Sequence, residues 1–216
     1  DMTMVAGTRV HGTDGADADS LTRAEIEGRR QLRCIADTVR EASKYAGVDV
    51  GLAATASHIG LRETRHAECL YTLTERDVLT GRDFDDTVAL GSYRVDIHHA
   101  DRGGLTFRYL DGREVELGPD GIRREGRWRD EGGESPTFYR IPYRCLVPRG
   151  AHNVLVTGRS IDADEGAFGA VRVMVVANQT GEAAGLACAL AIEQGCDVAD
   201  VPLKELQRQL GDCHSE

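Results

Sequence analysis

Lysine is almost missing from this 216-residue chain: Lys44 and Lys204 are the only two, so nearly all the positive charge is arginine. Planar, permanently charged guanidinium groups suit carboxylate recognition, and a GC-rich genome produces the same bias, so composition leaves both readings open. With a net charge of −10, the chain lacks the clustered basic residues that phosphate contacts need, which argues against a nucleic-acid partner. Aromatics are few, at 5 %, but apolar content is ordinary, so neither a disordered nor a fibrous chain is indicated. The six cysteines (Cys34, Cys69, Cys145, Cys188, Cys196 and Cys213) include no C-x-x-C pair and no histidine at ligand spacing, which speaks against structural zinc or any other metal site. Dispersed thiols in a chain of this length fit an intracellular, cytoplasmic protein better than a disulfide-stapled one. Cys34 and Cys188 fall in apolar helical patterns and are expected as small buried hydrophobes. No signal peptide is visible. The run from Val171 to Ile192 approaches membrane-span length, but Arg172, Asn178, Gln179 and Glu182 interrupt it, as suits a core helix of a protein without a membrane partner.

What is present reads as α/β, of the mixed α+β kind. Residues 1–20 form a loop or frayed start. Residues 21–150 form a helix followed by a β-rich block, and residues 151–216 a strand–loop–helix segment. Thr22 with Glu25 fits a capping box opening a helix to about Ala46, its buried stripe being Ile26, Leu32, Ile35, Val39, Ala42 and Tyr45. A short helical or strand-like piece covers Val48 to Ile59. Glu63 to Leu73 alternates like a strand, and Thr74-Glu75-Arg76-Asp77 resembles a helix start. Asp83 to Leu90 reads as a short helix ended by Gly91, and Tyr93 to His98 as extended chain. Asp111-Gly112 between LTFRYL and REVELG signals a hairpin. Residues 118–136 are Gly- and Arg-rich and read as a surface loop. Thr137 to Val147 is extended, with Pro142 at an edge or strand end. Pro202 to Leu210 is a short amphipathic helix.

The organising stretch runs from Asn153 to Gly195. Val154, Leu155 and Val156 read as a buried strand that stops at Gly158-Arg159; a dozen small and polar residues follow, then a long apolar helix beginning near Val171. Its exposed N–H groups favour an anion or a carbonyl gaining negative charge. Ala163, Gly166, Ala167, Gly169 and Ala170 keep the loop free of bulk, either for a flat ligand or for tight packing. Gly181, Ala184, Gly185 and Ala187 serve close packing.

NVLVTGRS, GAVRVM and GEAAGLACALA together resemble the C-terminal flavin-binding segment of the FAD-dependent oxidoreductases related to the succinate dehydrogenase/fumarate reductase flavoprotein group. Three upstream blocks in the same order extend the resemblance over most of residues 20–210: IGLRETRHAECLYTLTERDVLTGRDFDD, GSYRVDIHH and YRIPYRCLVP. The resemblance implies the C-terminal part of an FAD/NAD(P)-binding-like fold carrying an antiparallel β substrate-domain block. It implies FAD contacts at Gly158, Arg159 and Ser160 and at Gly169, Ala170, Val171, Arg172, Val173 and Met174. It also places His98 and His99 near the flavin, as proton donor or acceptor. The alternative is a strand with one histidine turned to the core and the other to solvent. Arg62, Arg65 and Arg144 lie inside matched blocks and suit a carboxylate substrate or the flavin's electron-rich edge, with Arg144 a candidate for catalysis; for each alone, a structural salt bridge with the abundant Asp and Glu is the favoured reading. Tyr143 either lines the pocket or belongs to the core. Ala170, Asp164 and Val175-Val176 depart from the family's usual Ser, His and Pro-Thr.

One family feature is missing. No G-x-G-x-x-G turn for the ADP half occurs in residues 1–60. The chain is therefore a C-terminal piece of a flavoprotein, or works with a second chain carrying the dinucleotide-binding half, or has lost the cofactor. Two functions follow: an FAD-dependent oxidoreductase exchanging hydride between flavin and a small organic substrate, or a non-catalytic binding or assembly subunit that kept the fold. A hydrolase is disfavoured, because G-x-S-x-G is absent and Ser160 follows Gly-Arg.

Overall fold

The computed structural model describes residues 2–5, 7–99 and 102–211, which leaves Cys213 outside the described residues. The chain divides into two units, Asp1–Thr64 and Arg65–Glu216.

The first unit is built on one helix, α1 (Ala18–Tyr45). Asp17 is its N-cap, accepting from the Ser20 amide at 2.6 Å, and Thr22 instead returns its hydroxyl to the Ala18 carbonyl. The capping box expected at Thr22 therefore gives way to an aspartate cap one turn earlier. The expected apolar stripe is not buried: Ile26, Val39 and Tyr45 are exposed, and Ala24 alone is fully covered. Cys34 is exposed with them, contrary to the expected buried thiol. The physical reason is the partner segment. Val48 to Ile59 forms neither helix nor strand, and polar contacts hold it to α1. Glu25 accepts from the Ile59 amide at 2.6 Å, while Arg29 donates to Thr55 and to the Ser57 carbonyl.

The second unit mixes helices with two antiparallel sheets. β1 (Thr87–Gly91) pairs with β6 (Tyr139–Pro142). The other sheet is a meander of β2 (Val95–His98), β3 (Leu105–Arg108), β4 (Arg113–Leu117) and β5 (Arg123–Arg127). Four helices accompany them: α2 (Glu75–Thr80), α3 (Glu165–Val171), α4 (Met174–Gln194) and α5 (Leu203–Leu210). α3 packs against β2, α4 against β1, and α5 against α4. The core between these layers includes Leu73, Val88, Tyr139, Ile141, Leu146, Ile161 and Phe168. Burying each of the larger side chains stabilises by about 1.5–3 kcal/mol.

Local chemistry explains several element ends. Thr74 and Asp77 close a reciprocal capping box on α2, and Gly81 ends it in the left-handed region at φ 62°. The Asp111-Gly112 hairpin forms, with Gly112 at φ 89°. Pro142 ends β6 and is followed by a 3-10 turn, Tyr143–Leu146. Among the described residues, Glu63 to Leu73 makes only the isolated bridges of Cys69 with Pro148 and Leu73 with Ala163, and no strand.

Four expectations are corrected. Asp83 to Leu90 is not a helix, because Thr87–Gly91 is drawn into the sheet by β6 on one edge. On the other edge the Gln179 carboxamide of α4 accepts from the Leu90 amide and donates to its carbonyl. Tertiary pairing overrides local propensity there. Residues 118–136 contain β5, an exposed edge strand of charged residues with no apolar alternation to betray it. Val154 to Val156 is not a strand: it follows Asn153, at φ 53°, and among the described residues its one backbone bond to another segment runs from the Val156 amide to Leu146. The helix expected from near Val171 is present as α4, starting at Met174, but the small-residue loop expected before it holds a helix of its own, α3, separated from α4 where Val173 turns extended at ψ 150°. α4 has the length and apolarity of a membrane span, and buries one face through Val176, Thr180, Ala183, Ala187 and Leu190.

Candidate functional site

The turn of Thr157 to Ser160 rests on the first turns of α4. Gly158 takes φ 62°, a conformation that suits glycine. Its amide lies 3.5 Å from the Thr180 hydroxyl, and a side chain there would approach Ala177. Ser160 is held by its carbonyl, which accepts from the Ala67 amide, while Arg159 and Ser160 present exposed surface. The loop then dives inward. Ile161 and Asp162 are buried, and the Asp162 carboxylate accepts from the Cys69 amide at 2.7 Å. Asp164 caps two helices at once, taking the Glu75 amide of α2 and the Ala167 amide of α3.

α3 is a buried element. Gly166 to Val171 carry almost no exposed surface, and Tyr139 on β6 donates its hydroxyl to the Ala170 carbonyl. Gly169 is a contact glycine: a Cβ there would lie 2.7 Å from the Asp96 carbonyl oxygen of β2. Gly169, Ala170 and Val171 thus pack the sheet side of the site. Arg172 is the hinge between helices. Its guanidinium lies 3.0 Å from the Asp96 carbonyl and 3.2 Å from the Asp96 carboxylate, with Phe168 beneath it. Val173 then opens α4 without any side-chain cap, and Met174 and Val175 stand exposed, Met174 at 83 %. A long helix thus presents an uncapped N-terminus and an apolar edge beside the Gly158–Ser160 turn.

The histidines differ. His98, at the end of β2, has Nε2 3.1 Å from the Asp96 carboxylate. His99 lies just beyond the strand, where its Nε2 is 2.9 Å from an Arg102 nitrogen and 2.8 Å from the Thr106 hydroxyl. Because arginine only donates, that ring nitrogen accepts, and His99 is tied into the turn between β2 and β3. Neither ring is simply inward or outward; both are partly covered.

Arg144 and Tyr143 are held by partners elsewhere in the second unit. Arg144 grips Asp86 with its backbone amide and with Nε and NH2, at 2.9–3.0 Å, and covers the face of Tyr71. The hydrogen bond to Asp86 holds the Arg144 guanidinium above its ordinary pKa. Tyr143 is 2 % exposed and donates to the Val198 carbonyl at 2.7 Å; burial pushes its hydroxyl pKa up. Tyr143→Phe is expected to lower unfolding free energy by about 1 kcal/mol in urea titration, as for a single buried hydrogen bond. Arg65 is exposed in the second unit and Arg62 in the first. Among the described residues no group of three or more His, Cys, Asp or Glu is placed to hold a metal.

Asp96 escapes the sequence reading, although a signal for it exists. Asp96 and His98 are two apart on an extended run, so they share a face of the strand.

Residues 2–210 match the model of a protein family described as FAD dependent oxidoreductase. No curated protein and no solved structure matches the chain.

Proposed function

The chain belongs to the FAD dependent oxidoreductase family, whose cofactor is FAD, and we propose that it carries the flavin end of the site and exchanges hydride between that flavin and a small organic substrate. The observation that supports this reading most is the uncapped α4 N-terminus with exposed Met174 and Val175 beside the left-handed Gly158 turn. Backbone N–H groups and a helix dipole suit the electron-rich edge of an isoalloxazine ring, and the exposed apolar edge suits its flat face. Gly158, Arg159, Ser160, Val173 and Met174 would hold the ring, with Gly169 to Arg172 fixing them from below. Bound FAD supplies the hydride acceptor or donor. His98 would give or take the accompanying substrate proton. The ordered upstream blocks support kinship with the succinate dehydrogenase/fumarate reductase flavoprotein group.

A G-x-G-x-x-G turn is absent from this sequence, and the unit Asp1–Thr64 shows one helix and no strand among its described residues. The dinucleotide-binding half is accordingly assigned to a second polypeptide segment. The test is flavin titration followed by absorbance. By itself the chain should take up FMN and FAD with equal, weak affinity, because it does not grip the ADP portion. Co-purified with its partner it should be yellow and prefer FAD. A chain that alone prefers FAD to FMN overturns the division of the site. A colourless complex that gains no flavin on titration overturns the oxidoreductase reading in favour of a non-catalytic subunit.

A further inference from the structure

We infer that Arg94 is an anion-binding residue: its guanidinium, held among the rings of Tyr93, Phe107 and Tyr109, takes the carboxylate of a ligand with an apolar body. Calling that ligand the substrate rests on the proposed oxidoreductase reading; the binding site itself does not.

Arg94 stands just before β2 and is half-buried. Its Cζ lies 4.2 Å from the Phe107 ring centroid, 5.1 Å from that of Tyr93 and 5.9 Å from that of Tyr109. Rings cover the faces of a guanidinium and leave the N–H donors in its plane unbonded. Nε is buried without a hydrogen-bond partner, and among the described residues no hydrogen bond or ion pair reaches the other two nitrogens. The other half-buried arginines, Arg108, Arg129, Arg140 and Arg172, all bond carboxylates or carbonyls. Acceptors are not scarce in this chain, where Asp and Glu number 36 against 26 Lys and Arg. Those close to Arg94 in the sheet are engaged elsewhere. Asp96 faces Arg172, and Asp111 faces Arg113, whose Cζ lies 4.7 Å from the Tyr109 centroid. A buried donor left without an acceptor costs about 1–3 kcal/mol.

The rings fix the plane of the guanidinium before any ligand arrives, so little rotamer freedom is left to lose on binding. Its two terminal nitrogens form a fork that matches the two oxygens of a carboxylate. Phosphate fits the same fork, but it carries more charge and would have to shed its water against three aromatic rings. A carboxylate on an apolar body lays that body on the rings instead, and the apolar surroundings strengthen the charge pair. Arg94 and Asp96 are two apart on an extended run, and Phe107 stands opposite Asp96 in the register of β2 with β3. The guanidinium therefore lies on the sheet face that carries Asp96, and Arg172, two residues before α4, contacts Asp96 on that face. That placement makes the carboxylate ligand a candidate substrate of the proposed reaction.

The test is titration of the full chain with benzoate and, separately, with inorganic phosphate, followed by the Nε–H resonance of Arg94 in 1H–15N spectra. Burial protects that proton from exchange with water, and its signal is identified by its loss in Arg94→Lys. Benzoate should shift it saturably, and phosphate at equal concentration should not. Arg94→Lys keeps a positive charge beside the rings but not the fork, so its benzoate affinity by calorimetry should fall about 10–100-fold. A purely structural arginine would instead lower the urea midpoint and leave benzoate affinity per folded molecule unchanged. A flat benzoate titration, phosphate bound as tightly as benzoate, or unchanged benzoate affinity in Arg94→Lys overturns the inference. Should Arg94→Lys fail to fold, calorimetry on the wild-type chain still decides, and Phe107→Leu serves as the second variant. Opening the cage should weaken benzoate binding, and unchanged affinity overturns the role of the rings. A yellow complex with a flat benzoate titration defeats the carboxylate site alone. A colourless complex whose chain binds benzoate through Arg94 defeats the oxidoreductase reading alone, and the carboxylate site stands.

Discussion

Gly169→Ala is expected to destabilise the second unit by about 2–3 kcal/mol, the range for overpacking a close contact. The added methyl would sit 2.7 Å from the Asp96 carbonyl oxygen, 2.9 Å from its nitrogen and 3.0 Å from its carbonyl carbon. These are main-chain atoms of β2, which is held in register by β3 from Val95 opposite Arg108 to His98 opposite Leu105. Such atoms cannot swing aside as a flexible side chain does, so α3 must lift from the sheet. Arg172 would move with it and loosen from Asp96. The variant should therefore lose stability in urea titration. Gly185→Ala is the matched control. Close packing is the expected role of that glycine and of Gly181, but both lie on an exposed face of α4 with open space at the Cβ, and the change should stabilise by roughly 0.5–1 kcal/mol through helix propensity. Equal effects at the two positions would mean that the approach of α3 to β2 is not tight.

The elements legible in the sequence are those whose signal is local. Thr74 and Asp77 announce α2 through their own hydrogen bonds, Asp111-Gly112 announces the hairpin through a glycine at positive φ, and Leu203, Leu206 and Leu210 announce α5 by spacing. The misread elements are set by distant partners. β1 looks helical until β6 and Gln179 occupy its two edges. β5 has no buried face, so alternation could not mark it. Val154 to Val156 has a strand's composition but no ladder to join. The break between α3 and α4 depends on Asp96, 76 residues away from Arg172 in sequence. The same division holds at the site. The Gly158 turn and the helix start are readable because small residues and an apolar run are local features. The Asp96–Arg172–His98 group joins two distant segments, and only the D-x-H spacing hints at it.

Arg144→Met separates the substrate-binding assignment of Arg144 from a structural one, and the structural outcome is expected. Arg144 falls within a block resembling the flavoprotein family, which places it in the site by analogy, yet its guanidinium is bidentate on Asp86. Asp86 is 3 % exposed, and its backbone carbonyl also accepts from the Tyr143 amide. Removing the arginine leaves a buried carboxylate with the Arg144 backbone amide as its main remaining donor. A fully buried pair broken on one side loses about 3–5 kcal/mol. Because the Arg144 side chain is itself 48 % exposed, water can reach the gap, and a loss of about 2 kcal/mol is the expectation here. Methionine keeps the apolar stem over Tyr71, so the measured loss reports the charge pair rather than a cavity. If Arg144 holds substrate instead, the variant keeps its urea midpoint and raises KM. If it holds the fold, the midpoint falls while flavin affinity per folded molecule is unchanged, and the 3-10 turn that carries Arg144 and Tyr143 is scaffold.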